Sequence, residues 1–273
     1  MDLGTVEELV APRDRAELPA FAAGDLLLAG GTWVFSDPQV GARRLIDLTA
    51  LAWPSLVDVP GGLEIAATCT LAELAAAPVP TGRPALELAR FCCDALRGSF
   101  KIWNAATVGG NLCLALVAAP MVAFVAALEG TCTVWTPGGG ERELAAVDLV
   151  VGPGQTCLED GEILRSITLP EAALASRTAV RQVSLTTYGR SAALLVGRID
   201  AAAQQLVVTV TASTPHPVQL RLPADVSAEG LRAAIAERLG PGDYYDDVHG
   251  DPAWRQHLTG LLAEEIRQEL AAS

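Results

Sequence analysis

Ala29-Gly30-Gly31-Thr32 and Thr107-Val108-Gly109-Gly110-Asn111 each set two adjacent glycines beside a short polar side chain. Glycine backbone lets a ligand come close to the main chain, and a hydroxyl or carboxamide can hydrogen-bond to it, a combination that suits a phosphate or diphosphate. Either motif alone is as compatible with an ordinary turn. Their joint occurrence, with Thr32, Thr107 and Asn111 as side-chain partners, suggests a bound dinucleotide.

Other chemistries find little support. No G-x-G-x-x-G follows an expected strand, and Lys101, the only lysine, lies outside any glycine-rich phosphate loop, so neither a Rossmann nor a Walker A reading holds. No G-x-S-x-G occurs, and His216, His249 and His257 are scattered toward the C-terminus. Cys69, Cys92, Cys93, Cys113, Cys132 and Cys157 contain no C-x-x-C pair of the kind that iron–sulfur and structural zinc sites use. Asp246-Asp247-Val248-His249 reads as a solvated loop before a helix, and Gly138-Gly139-Gly140 as a hairpin turn. No residue is therefore assigned a catalytic or metal-ligating role.

The chain has 273 residues, 51% of them hydrophobic, with 32 acidic against 19 basic residues and a formal net charge of −13. Such a balance disfavours nucleic acid and anionic membrane as partners. Residues 102–128 carry no charge and are long enough to span a bilayer. Gly109-Gly110-Asn111 and Pro120 interrupt them, so a loop followed by a buried helix is the expectation, with no membrane span. Met1-Asp2-Leu3-Gly4 lacks a basic region followed by an apolar run, from which a cytoplasmic protein with free thiols is expected.

The elements that must position the two motifs follow from periodicity. Asp25 to Ala29 is a short apolar run feeding the first glycine pair, and Leu45 to Leu48 a second strand, together a small βαβ-like unit with its motif at a strand's carboxyl end. Leu63 to Ala66 alternates as a strand, and Thr70-Leu71-Ala72-Glu73 is a capping box that opens a helix. Another helix follows Pro84, one follows Pro120, and strands are expected over Thr131 to Trp135 and Glu162 to Leu169. Beyond about residue 172 the runs Ala192 to Val196 and Gln205 to Val210 precede helical stretches at Ala228 to Leu239 and Trp254 to Leu270. The expected organisation is thus three units, 1–56, 57–172 and 173–273.

The stretches Leu28-Ala29-Gly30-Gly31-Thr32, Leu45-Ile46-Asp47-Leu48, Gly62-Leu63-Glu64-Ile65-Ala66-Ala67-Thr68 and Trp103-Asn104-Ala105-Ala106-Thr107-Val108-Gly109-Gly110-Asn111-Leu112 occur in one order and spacing. So does Gly161-Glu162-Ile163-Leu164-Arg165-Ser166-Ile167-Thr168-Leu169-Pro170. In these the chain resembles the FAD-binding subunit of molybdenum hydroxylases, enzymes similar to xanthine dehydrogenase and aerobic carbon monoxide dehydrogenase. The resemblance implies an α+β fold, in which two N-terminal α/β lobes clasp FAD and a C-terminal lobe carries a small antiparallel sheet with helices. It implies that Leu28, Ala29, Gly30, Gly31, Thr32, Trp33 and Val34 from the first loop, and Ala106, Thr107, Gly109, Gly110 and Asn111 from the second, contact FAD. Leu164 would pack near the isoalloxazine.

Where the family often carries polar residues, a Ser-Pro pair and an aspartate along the ribose and adenine, this chain has Leu114, Leu116-Val117 and Pro120, and Trp33 replaces a small polar or acidic residue. By the same resemblance the chain is an electron-transfer subunit of an oxidoreductase complex. Molybdopterin would reside on a large partner subunit, and [2Fe-2S] clusters on a small one. Two other readings stay open: a self-contained FAD oxidoreductase, for which Tyr188 and Arg190 are unplaced candidates, and a degenerate, non-catalytic scaffold subunit.

Overall fold

A computed structural model describes residues 3–272; Met1, Asp2 and Ser273, which the expected start and unit boundaries include, lie outside the described residues. Strands β1 (Glu8–Val10), β2 (Asp25–Leu28) and β3 (Arg44–Asp47) form a parallel sheet in the order β1-β3-β2. The expected βαβ unit is corrected here, because among the described residues its crossovers contain a 3-10 turn at Arg15–Glu17 and turns over residues 32–36 in place of an α-helix. Gly30, Gly31, Pro38 and Gly41 leave no uninterrupted helical stretch between β2 and β3. Arg44 fixes the sheet's register through two hydrogen bonds to Asp25, Nε to Oδ1 at 2.8 Å and Nη2 to Oδ2 at 2.6 Å.

The second sheet has the order β4-β5-β10-β6-β7 and is antiparallel throughout. Its strands are β4 (Leu56–Val59), β5 (Gly62–Ala66), β6 (Thr131–Trp135), β7 (Glu141–Ala145) and the central β10 (Ile163–Pro170); the short ribbon β8 (Val150–Gly152) and β9 (Gln155–Thr156) precedes β10. Between β5 and β6 run α1 (Leu71–Ala75), α2 (Glu87–Ala95), α3 (Phe100–Trp103), α4 (Val108–Leu114) and α5 (Pro120–Ala127). The capping box forms: the Thr70 hydroxyl accepts the Glu73 amide, and Glu73 accepts the Thr70 amide at 2.8 Å. The charge-free stretch is thus divided among short helices, and no helix among the described residues is long and apolar enough to cross a membrane. Pro120 supplies the first residue of α5, where a missing amide costs no hydrogen bond, and every residue of α5 is buried. Short helices α6 (Ala146–Leu149) and α7 (Glu171–Leu174) close this part of the chain.

The remainder is a consecutive antiparallel sheet of β11 (Thr178–Ser184), β12 (Ser191–Asp200), β13 (Gln205–Thr211) and β14 (Val218–Pro223), followed by α8 (Ala228–Arg238) and α9 (Pro252–Ala271). Ser227 and Asp251 cap the two helices by accepting the amides of Gly230 and Trp254. From Ser191 to Arg198, β12 is buried at every position because both its faces are covered. Leu194 packs with Ala123 of α5, whereas Ala193 and Leu195 share a core with Leu262 and Ile266 of α9. α5 is therefore the joint between the C-terminal sheet and the rest of the molecule.

Candidate functional site

Between the first sheet, the segment after β5, α4 and the start of β10 lies a cavity of about 600 Å³. That is the size of a small-molecule or cofactor site. Ala29, Gly30, Gly31, Thr32, Trp33 and Val34 line one wall, Ala106, Thr107, Gly109, Gly110 and Asn111 another, and Leu164 a third. Leu28 does not line it; as the last residue of β2 it is buried behind Gly31.

The two glycine loops touch each other. A Cβ on Gly30 would stand 1.6 Å from the carbonyl oxygen of Ala105, so only glycine allows this approach. Gly31 has φ +67°, in the left-handed region, and starts a tight turn closed by Phe35 N–H donating to the Gly31 carbonyl at 2.9 Å. As a result the amides of Gly30, Gly31, Thr32, Trp33 and Val34 donate to no acceptor among the described residues. Successive unpartnered amides around such a turn form a concavity that attracts anions.

The second loop contributes differently. The Val108 and Gly109 amides donate to the carbonyls of Cys69 and Ala67, and the Gly110 and Asn111 amides to the side chain and carbonyl of Thr107. Two of these donors pin α4 to the segment after β5, and two close the first turn of α4 onto Thr107. The Asn111 carboxamide lines the cavity with donor capacity: its Oδ1 accepts the Met121 amide at 3.0 Å while Nδ2 has no acceptor among the described residues. These groups fit a diphosphate-bearing cofactor: an amide row on one side and a carboxamide N–H on the other.

Charge in the wall is sparse. Arg190, on the hairpin between β11 and β12, is exposed and makes no ion pair among the described residues, so its guanidinium is available to an anion. Glu162 is the lining carboxylate, and two hydrogen bonds from Arg142 hold it well below the usual carboxylate range. Leu114 and Leu116 give the cavity an apolar flank, while Val117 does not line it and Pro120 is buried at the start of α5. Tyr188 sits beside Arg190 on the hairpin, 84% exposed. Asp247 is committed to Arg255 and to the His249 amide, and neither Asp246, Asp247 nor His249 lines the cavity.

Sequence reasoning did not single out Thr68, Leu96, Cys113, Leu158, Glu162 or Arg190 as lining residues. Thr68 and Glu162 lie inside the stretches that carry the family resemblance, so a signal existed for them. Leu96 and Arg190 reach the cavity only through tertiary packing.

A glycine turn at the end of a parallel strand, set against a second glycine loop across a cavity of this size, defines a binding protein for a nucleotide cofactor. The family model described as "FAD binding domain in molybdopterin dehydrogenase" matches residues 8–172. The chain belongs to that family: it is an FAD-binding component of a molybdopterin-dependent oxidoreductase. Among solved structures it is similar to a chain of carbon monoxide dehydrogenase from Hydrogenophaga pseudoflava, with 19% identity, 98% of each chain covered and a TM-score of 0.77. A chain of the Oligotropha carboxidovorans carbon monoxide dehydrogenase matches with 19% identity, 91% of this chain and 90% of that one, and a TM-score of 0.77. Quinoline 2-oxidoreductase from Pseudomonas putida 86 matches with 18% identity, the same coverage and a TM-score of 0.74. These likenesses establish the fold. No curated protein matches by sequence.

Proposed function

We propose that this chain is the flavoprotein subunit that carries electrons out of a molybdenum hydroxylase complex. In such a complex a large partner subunit would hold molybdopterin, a small one [2Fe-2S] clusters, and this chain the FAD through which electrons would reach an external acceptor. The family match and the likeness to chains of carbon monoxide dehydrogenase, one structure of which is described as lacking the Mo-pyranopterin moiety of its cofactor, support these partners. Free cysteines among the described residues support a reducing, cytoplasmic setting. The sheets and their helices support units at 1–56, 57–172 and 173–273.

The observation that carries the reading is that the Gly30–Val34 loop, whose amides have no acceptor among the described residues, and Asn111 line the same cavity. FAD, when bound, supplies the redox chemistry. The chain's residues would bind and orient it: the Gly30–Val34 amides and the Asn111 carboxamide would hold the diphosphate, and Leu164 would pack beside the isoalloxazine. Leu114 and Leu116 present hydrocarbon to the adenosine half, which leaves the backbone contacts as the main polar anchor. The purified complex is expected to carry one non-covalent FAD per copy of this chain, measured by absorbance and acid extraction. Recovery of FMN, or of no flavin, would overturn the assignment. Substrate should bleach the flavin in the complex, whereas bleaching of the isolated chain by an organic substrate would favour a self-contained oxidoreductase.

A further inference from the structure

Glu162 differs from the rest of the cavity wall in being both charged and buried, its side chain 4% exposed. Arg142 reaches it from β7, with Nε donating to Oε1 at 2.7 Å and Nη2 to Oε2 at 2.6 Å. The same Nη2 donates to the Cys157 carbonyl at 3.2 Å, and Oε2 also accepts the Glu159 amide at 2.9 Å. One ion pair therefore ties β7 to the whole of segment 157–162. Leu158 and Glu162 of that segment line the cavity, as do Ile163 and Leu164, which follow it at the start of β10.

A bidentate guanidinium–carboxylate pair fixes geometry in a way that a point charge does not. It also presents no net charge to its surroundings, although each member alone would add a charge beside the cavity. We propose that Arg142–Glu162 is a positioning pair for the flavin: it holds the Leu158–Leu164 wall against the ring and, by keeping that wall neutral, sets the midpoint potential of the bound cofactor. This rests on the reading that FAD occupies the cavity with its isoalloxazine beside Leu164.

The two halves of the pair make opposite predictions. Arg142→Met leaves a carboxylate beside a flavin that gains electron density on reduction, so the potential falls. Glu162→Gln leaves the guanidinium unbalanced, so the potential rises. The double variant restores neutrality and returns the potential toward wild type, and Arg142→Lys, which keeps the charge but loses the fork, holds the wild-type potential while weakening FAD retention about tenfold. Loosening of the fold alone would not give shifts of opposite sign.

The measurement is dye-equilibrated reductive titration of the flavin in the purified complex, with FAD retention followed by fluorescence of the released cofactor. Absence of flavin from the wild type would defeat the cofactor reading itself. Flavin present, with both single variants shifting the same way or neither shifting, would defeat this inference. Should Arg142→Met not fold, Glu162→Gln against Arg142→Lys decides: a rise in the first and none in the second supports the pair's role, and equal potentials overturn it.

Discussion

Gly30 has one job that no other residue type could take over, because the carbonyl of Ala105 occupies the place of its side chain. Gly30→Ala must push the two loops apart and tilt the amide row that follows. Loss of one amide hydrogen bond to a charged diphosphate, worth about 1.5–3 kcal/mol, lowers FAD affinity roughly tenfold to hundredfold. Gly110→Ala is a contrasting test: its new methyl meets only the Thr107 hydroxyl, at 2.8 Å, and far less affinity should be lost. Fluorescence titration of apoprotein with FAD checks both, with the melting temperature as a control for folding. Equal losses in the two variants would mean that the cradle is not centred on the first loop. At this scale the sequence was informative about the motifs that line the cavity and less so about their hydrogen bonds. Both glycine pairs were visible as local motifs, but that the second loop spends its amides on Cys69, Ala67 and Thr107 depends on a segment some forty residues earlier in the chain. The Arg142–Glu162 pair, across two strands, was hidden for the same reason.

Among the elements, α5 is closed at its C-terminal end by groups from the C-terminal sheet. Gln219 Nε2 donates to the Ala126 carbonyl at 2.7 Å, and Arg198 Nε donates to the Ala127 carbonyl at 3.3 Å. Arg198 is 2% exposed and forms an ion pair with Glu129 at 2.8 Å, just beyond the helix. Carbonyls at a helix end need donors, and a cation there also meets the negative end of the helix dipole. Arg198→Met removes donors from the Ala127 carbonyl and from Ser176, while Glu129 keeps its ion pair with Arg221, so the change should cost about 1–3 kcal/mol, read as a lower urea midpoint with an unchanged slope. A change within a few tenths of a kcal/mol would show that water satisfies the carbonyls instead. Elements with strong local signals were legible from sequence: the Thr70 capping box, the proline that starts α5 and the alternation in β5. β1 was missed because three residues at a sheet edge, with Leu9 62% exposed, carry no apolar pattern. The N-terminal crossover was misread as helical because parallel strands usually require a helix between them, a rule this small sheet does without.

On the scale of the whole molecule, the first two sheets are joined by a ladder of rings and guanidinium groups. Arg15 lies 4.6 Å from the centre of the Trp135 ring, Trp135 meets Trp53 edge to face at 5.2 Å, and Arg165 lies 4.5 Å from the Trp53 ring. The cavity sits where these sheets meet α4, and α5 extends from there to the C-terminal sheet. Ala118 and Ala119, immediately before α5, line the cavity, and Asn111 holds the Met121 amide in the first turn of the helix. A ligand that occupies the cavity therefore loads one end of a rod whose other end is anchored in β12 and β14 by Arg198 and Gln219. Thermodynamic linkage then makes cofactor release and opening of the C-terminal sheet a shared event. At a free FAD concentration one hundred times its dissociation constant the folded state gains about 2.7 kcal/mol. Amide hydrogen exchange in β12 and β13, no residue of which lines the cavity, should slow by up to roughly a hundredfold on adding FAD. Exchange that slows only around residues 29–34 and 106–111 would mean that the rod does not transmit. With transmission, a chain short of flavin exposes its C-terminal sheet to proteases, and cellular cofactor supply is read out as the lifetime of the protein.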